Sequence, residues 1–242
     1  MDIQVIKEII TKECAVLDIY LTAEQVDLMM HFAKLVFEAN KRMNLTRITS
    51  NEEFAVKHLI DCLLLSKVGC DFKGSGIDVG SGAGFPGVVI AGCITTSPVT
   101  LLDSLEKRVN FLLQVKDKLN LTNVECVHAR AEDLARDKNY REKFTWATAR
   151  AVAPLPVLLE YCAAFVEVGG YFLAMKGNQN RADDEISDAK NAIKVLGLEL
   201  ISVYKFELPL NMGERTIIKL KKKSPISRGF PRKAGIPSRK PL

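Results

Sequence analysis

One stretch constrains this chain more than any other: Gly76-Ile77-Asp78-Val79-Gly80-Ser81-Gly82-Ala83-Gly84-Phe85-Pro86-Gly87. Its apolar lead-in predicts a strand and its glycines a tight turn. Pro86 predicts the first residue of a helix, where the N–H that proline lacks would be unpaired anyway. Glycines at 80, 82 and 84 let backbone N–H groups come close to a ligand, and Gly87 lets the helix pack on the sheet. Gly82, Gly84 and Gly87 also satisfy the G-x-G-x-x-G of dinucleotide sites. The glycines therefore predict a nucleotide-like cofactor without saying which.

Around that turn the pattern is strand and helix in alternation. A second strand is predicted over 98–103, followed by a helix carrying Leu105, Val109, Leu112 and Leu113, and a third strand over 123–128. A fourth covers 144–152, with Pro154 and Pro156 opening the next helix. Gly169-Gly170 predicts a turn into a fifth strand at 171–176, and a polar helix follows over 181–196. Segments 198–208 and 214–220 flank a Pro- and Gly-containing loop and predict an antiparallel pair. Such alternation gives an α/β fold: a Rossmann-like, mostly parallel seven-stranded sheet with its last strand antiparallel, covered on both faces.

Residues 1–70 read differently, as helices. Ile3, Ile6, Ile10, Cys14 and Leu17 recur at helical spacing, and Thr22–Gln25 and Ser50–Glu53 are capping boxes. The expected organisation is a helical N-terminal cap at 1–70, a cofactor-binding domain at 71–220 and a basic tail at 221–242, in one compact unit. From Lys219 onward there are nine Lys and Arg and no acid, so the tail alone makes a mildly acidic body net basic at +5. The tail also carries four of the nine prolines, which predicts an extended, partly disordered segment suited to an RNA backbone. Lys221, Lys222 and Lys223 are its candidate RNA contacts. The six cysteines are scattered, without a C-x-x-C pair, and the three histidines lack ligand spacing. Reduced thiols, no metal and a cytoplasmic protein are expected. No apolar run reaches the ~18 residues of a membrane span.

The identity of the cofactor turns on Asp78. Ligands of open α/β sheets bind at the carboxyl ends of the strands, here Asp78/Gly80, Asp103, Ala131-Glu132, Arg150 and Lys176-Gly177. Asp103 could take both hydroxyls of a ribose, which suits NAD and S-adenosylmethionine alike. An acid two residues before the first glycine opposes a pyrophosphate, whereas an ammonium group welcomes it. Asp-x-Gly-x-Gly-x-Gly resembles the signature of class I S-adenosylmethionine methyltransferases.

The likeness narrows further. Residues 78–87, Leu102-Asp103-Ser104, Ala129-Arg130-Ala131-Glu132 and Ala147–Val152 together resemble the RsmG (GidB) family, as do Asn44-Leu45-Thr46 and His58-Leu59-Ile60-Asp61. Cys62 stands where members usually carry Ser. The resemblance spans nearly the whole chain. It implies an S-adenosylmethionine-dependent methyltransferase acting on N7 of guanine 527 in 16S rRNA, as naked RNA or in the small ribosomal subunit, and a monomer. It also implies a site: Gly80 and Phe85 line it, Asp103, Ser104 and Leu105 surround the ribose, Ala131 and Glu132 hold the adenine, and Arg150 completes the pocket near the methyl donor. Lys176 and Arg150 are candidates to touch the guanine O6 edge or a phosphate.

Guanine N7 is a ring lone pair without a proton, so its methylation is an in-line displacement that needs no general base. The chain accordingly shows neither the Asn/Asp-Pro-Pro-aromatic motif of amine methyltransferases nor the Pro-Cys of cytosine-C5 enzymes, and no acid, base or nucleophile is assigned. Three alternatives stay open on residues alone: methylation of another RNA or a small molecule, an NAD(P)-dependent oxidoreductase, and a non-catalytic RNA-binding module.

Overall fold

The computed structural model describes residues 2–177 and 179–242. The chain opens with α1 (Ile3–Val16), capped by Asp2, and α2 (Ala23–Met43), capped reciprocally by Thr22 and Gln25. Asn44, at φ 50°, closes α2 in the left-handed conformation. Ser50 then caps a third helical run, made of α3 (Asn51–Phe54), a π-helical segment (Ala55–Ile60), α4 (Asp61–Leu63) and a 3-10 turn (Leu64–Lys67). The π segment re-aims the side chains that follow it, a device often found at functional sites.

Among the described residues the strands form one sheet. They are β1 (Gly76–Val79), β2 (Val99–Asp103), β3 (Val124–His128), β4 (Phe144–Arg150), β5 (Val166–Lys176), β6 (Leu198–Glu207) and β7 (Glu214–Lys222), in the order β3-β2-β1-β4-β5-β7-β6. β1 to β5 are parallel, and β7 runs antiparallel between β5 and β6. The chain winds outward from β1 to β3 and returns to β4, so a switch point lies between β1 and β4, where ligands of such sheets bind. The intervening helices are α5 (Gly87–Val89), α6 (Glu106–Lys118), α7 (Ala131–Leu134), α8 (Leu155–Ala163), α9 (Gln179–Asp188) and α10 (Lys190–Val195), with α11 (Ile236–Arg239) near the end.

Period-two alternation divides the strand side chains between two cores. Trp146 joins the core made with α1, α2 and Leu112 of α6, while Ala147 and Ala149 join the one made with α8 and α10. The N-terminal helices thus share a continuous apolar core with one face of the sheet.

Four features depart from the sequence reading. The helix after the glycine turn begins at Gly87, with Pro86 as its N-cap, and it passes into a π-helical segment (Ile90–Ile94). Gly169 and Gly170 lie inside β5 and do not precede it. The predicted polar helix is two helices, α9 and α10, with Ala189 between them.

The fourth departure is the tail, which is packed against the body. Lys222 belongs to β7 and is fully buried. Its Nζ donates to Ala163 O at 2.6 Å and pairs with Glu142 at 3.2 Å, so it cannot meet RNA. Burial pushes its pKa down, against the pull of Glu142. Because β7 runs antiparallel, Lys221 and Lys223 also stand at the end of the sheet opposite the carboxyl ends of the parallel strands. Lys221 lies over the Tyr171 ring at 5.6 Å, and Lys223 pairs with Glu199 at 3.0 Å.

The tightest backbone contact in the sheet is testable. A Cβ on Gly76 would fall 1.9 Å from the indole of Trp146, which is itself buried. Gly76→Ala should destabilise the fold by about 1–3 kcal/mol, the usual cost of overpacking. The reading is a lower urea midpoint, and an unshifted midpoint would refute this packing.

Candidate active site

The glycine turn is built by its backbone. Gly80 and Ser81 donate their N–H groups to Leu102 O at 2.8 and 3.0 Å, which ties the turn to the end of β2. Gly80 adopts φ +76°, and a Cβ there would meet Val152 Cγ2 at 2.6 Å. Only glycine meets both demands. Asp103, at the end of β2, holds two turns together: Oδ2 accepts Gly82 N–H and Oδ1 accepts Leu105 N–H, both at 2.9 Å. Oδ2 also accepts from Arg108 Nη1 at 3.5 Å, so of the about four acceptor positions of a carboxylate one remains for a ligand.

Asp78 is completely buried. Its Oδ2 accepts Gly87 N–H at 3.0 Å and so starts α5, while Oδ1 is buried without a hydrogen-bond partner. Burial raises its pKa to about 6, opposed by Ser81, the Gly87 amide and Arg150. Asp78 lines neither of the cavities beside the turn, so this buried acid acts on a cationic ligand, such as the ammonium of S-adenosylmethionine, through its charge and not by contact.

Two cavities flank the turn. The smaller, about 170 Å³, is lined by Gly80, Asp103, Ser104, Ala131, Glu132 and Tyr161, among others. It gathers five of the residues expected around the cofactor. Leu105 is not in its lining: the side chain is exposed, and its contribution is the amide on Asp103. The larger cavity, about 740 Å³, opens at the carboxyl ends of β4 and β5 and includes Arg150, Met175, Lys176, Lys57, His58 and Arg215 in its lining. Val152 lines both cavities.

Arg150 is the hub of the larger cavity. Its Nη1 donates to Asp61 Oδ2 at 2.7 Å and to Lys57 O at 3.0 Å. Its Nη2 donates to His58 Nδ1 at 3.2 Å, and its guanidinium carbon lies 5.2 Å from the Phe85 ring centroid. Phe85 is buried and stacks on His58, with centroids 4.5 Å apart and planes within 9°. It acts on the pocket through Arg150 and His58 and lines neither cavity.

Because Arg150 donates to Nδ1, the His58 proton sits on Nε2 and goes to Thr46 Oγ1 at 2.8 Å. Burial, and secondly Arg150, push the His58 pKa down to about 3. This histidine is neutral with both nitrogens engaged. Asp61, fully buried, also binds Arg215 Nε, and Arg215 Nη1 donates to Lys176 O at 3.1 Å.

Lys176 lines the large cavity, but its ammonium is committed to structure. It donates to Ala153 O at 2.8 Å and pairs with Glu185 at 2.6 Å, and Glu185 in turn accepts Leu155 N–H at 2.7 Å. This brace holds the 151–154 loop, where Ala151 takes φ +57°.

Sequence reasoning left Asp61, Thr46, Arg215 and His58 without an individual role. The available signal was the i, i+3 spacing of His58 and Asp61, which puts both on one helix face toward Arg150. Arg215 gave none, since it meets Asp61 only through the return of β7.

A family model described as rRNA small subunit methyltransferase G (GidB) matches residues 25–217. A ribosomal RNA small subunit methyltransferase G from Desulfitobacterium hafniense is 46% identical over 228 residues, 93% of this chain and 93% of its own length. One from Acetivibrio thermocellus is 44% identical over 219 residues, covering 90% and 89%. Among solved structures, a SAM dependent methyltransferase from Aquifex aeolicus has the same fold, with a TM-score of 0.55 at 14% identity over 74% of this chain and 97% of that one.

The buried Asp78 predicts a pH signature. Its folded pKa of about 6 exceeds the ordinary 3.8, so the folded state binds the extra proton between those values. Ionisation therefore costs stability as pH rises through about 6, roughly 3 kcal/mol for two units. Asp78→Asn removes this cost. Its unfolding free energy relative to the parent should rise by up to roughly 3 kcal/mol between about pH 4 and pH 8, while its affinity for S-adenosylhomocysteine falls. A pH-independent difference would exclude a buried carboxylate here.

Proposed function

The chain belongs to the rRNA small subunit methyltransferase G family, and from this we propose that it methylates N7 of guanine 527 in 16S rRNA with S-adenosylmethionine as donor. The observation that supports this reading best is the pair of cavities meeting at Val152, one small and acidic, the other large and open beside Arg150. S-adenosylmethionine supplies an electrophilic methyl on a sulfonium, which suits the lone pair of N7.

In this reading Gly80, Asp103 and Ser104 hold the ribose side, and Ala131 and Glu132 hold the adenine. Asp78, buried behind the turn, attracts the ammonium through its charge, and with Asp103 it opposes the pyrophosphate of a dinucleotide. The guanine occupies the large cavity. Its O6 receives an N–H of Arg150, whose orientation is fixed by Asp61 and His58. N7 carries no proton, so the neutral, fully hydrogen-bonded His58 is not needed as a base. Catalysis consists of holding N7, the methyl group and the sulfur in line and keeping water out. The target base must be unstacked to enter. Lys57 and Arg215 line the cavity and stand nearer the incoming RNA than the β7 lysines do.

The direct test incubates the protein with labelled cofactor and either small ribosomal subunits or naked 16S rRNA, then maps 7-methylguanine by strand cleavage. One modified guanine is expected, and label in protein or on no guanine would overturn the reading. In parallel, Lys221→Gln with Lys223→Gln should leave the salt dependence of RNA binding within about 0.7 of the parent slope, less than one phosphate contact. A larger drop would return the tail lysines to the RNA surface.

A further inference from the structure

The last twenty residues are fastened by buried groups. Glu160 of α8 is fully buried, and Arg232 closes on it with its backbone N–H at 2.7 Å, Nε at 2.9 Å and Nη2 at 2.6 Å. Arg141 donates to the carbonyls of Ile226, Ser227 and Phe230 at 2.8–3.1 Å, and Glu142 accepts Ile226 N–H at 2.8 Å. Pro231 and Pro237 are buried. These anchors bring Gly235 behind Glu132, which lines the small cavity, and the Gly235 N–H donates to Glu132 Oε1 at 3.1 Å. Gly235 takes φ +81°, a conformation that L side chains rarely adopt. Arg232 thus serves to hold the segment within reach of Glu132.

We propose that the C-terminal segment is a strap that positions the adenine-binding carboxylate. The inference rests on reading the small cavity as the adenine site. With Oε1 held by Gly235, the Glu132 rotamer is fixed before ligand arrives, and Oε2 is left for the exocyclic amine of adenine. Gly235 and Arg232 are positioning residues: they act on the cofactor through Glu132. The segment's contribution to activity is then cofactor affinity, independent of any RNA contact.

The test is S-adenosylhomocysteine binding by calorimetry in a double-mutant cycle of Glu132→Ala and removal of residues 234–242. The shortened chain keeps the Arg232–Glu160 pair. Each change alone should weaken binding about tenfold, and the two together no more than either one, because both break the same contact. Wild-type affinity in the shortened chain, or effects that multiply, would overturn the strap. Failure of the parent protein to bind S-adenosylhomocysteine would instead overturn the adenine-site reading. Hydrogen exchange in the unmodified protein covers the case in which the shortened chain does not fold. S-adenosylhomocysteine should slow exchange across 233–239 several-fold, by reciprocity of the coupling, and unchanged exchange would also refute the strap.

Discussion

Asp61 is the joint on which the site depends. It is fully buried and binds two guanidinium groups, Arg150 from the end of β4 and Arg215 from the start of β7. Removing one partner of a buried ion pair costs about 3–5 kcal/mol, because a charge is left without solvent or counter-charge. Here a single acid in the N-terminal helical run bridges two cations of the sheet and leaves one net positive charge at the cavity. Arg150 is therefore presented at the large cavity with fixed geometry, and Lys57 and His58 complete both its hydrogen bonding and the cavity wall. The N-terminal helical run thus builds the wall of the large cavity together with the sheet.

The turn after β1 shows what that site costs the fold. Two carboxylates, Asp78 and Asp103, lie within the same small region, and each raises the energy of ionising Asp78 or depends on backbone N–H groups to stay in place. A neutral acceptor could stand in place of Asp78 if its task were only to take the Gly87 N–H. Keeping an acid there makes physical sense when the ligand is a cation, since the ligand then repays part of the desolvation.

The sheet was legible in the sequence because its evidence is local. Apolar alternation, the glycine turn and the strand-end residues Asp103, Glu132 and Arg150 each depend on a few neighbouring positions. Gly169-Gly170 was misread because glycines in a strand and glycines in a turn look alike. Only the closeness of Gly170 to Thr145 O, 2.6 Å from a Cβ built there, shows that β5 needs a bare backbone beside β4. The π segment of 55–60 and the β7 return that brings Arg215 to Asp61 are tertiary outcomes, with no periodicity that announces them.

The tail marks where composition misleads. A run of cations without acids predicts a solvated strand for RNA, because isolated lysines and arginines remain in water. That argument fails once the acids they need lie elsewhere in the chain: Glu142 for Lys222, Glu160 for Arg232 and Glu199 for Lys223. Three of the nine cations of the tail thus close on acids of the body, and the segment packs where composition alone predicts a solvated strand.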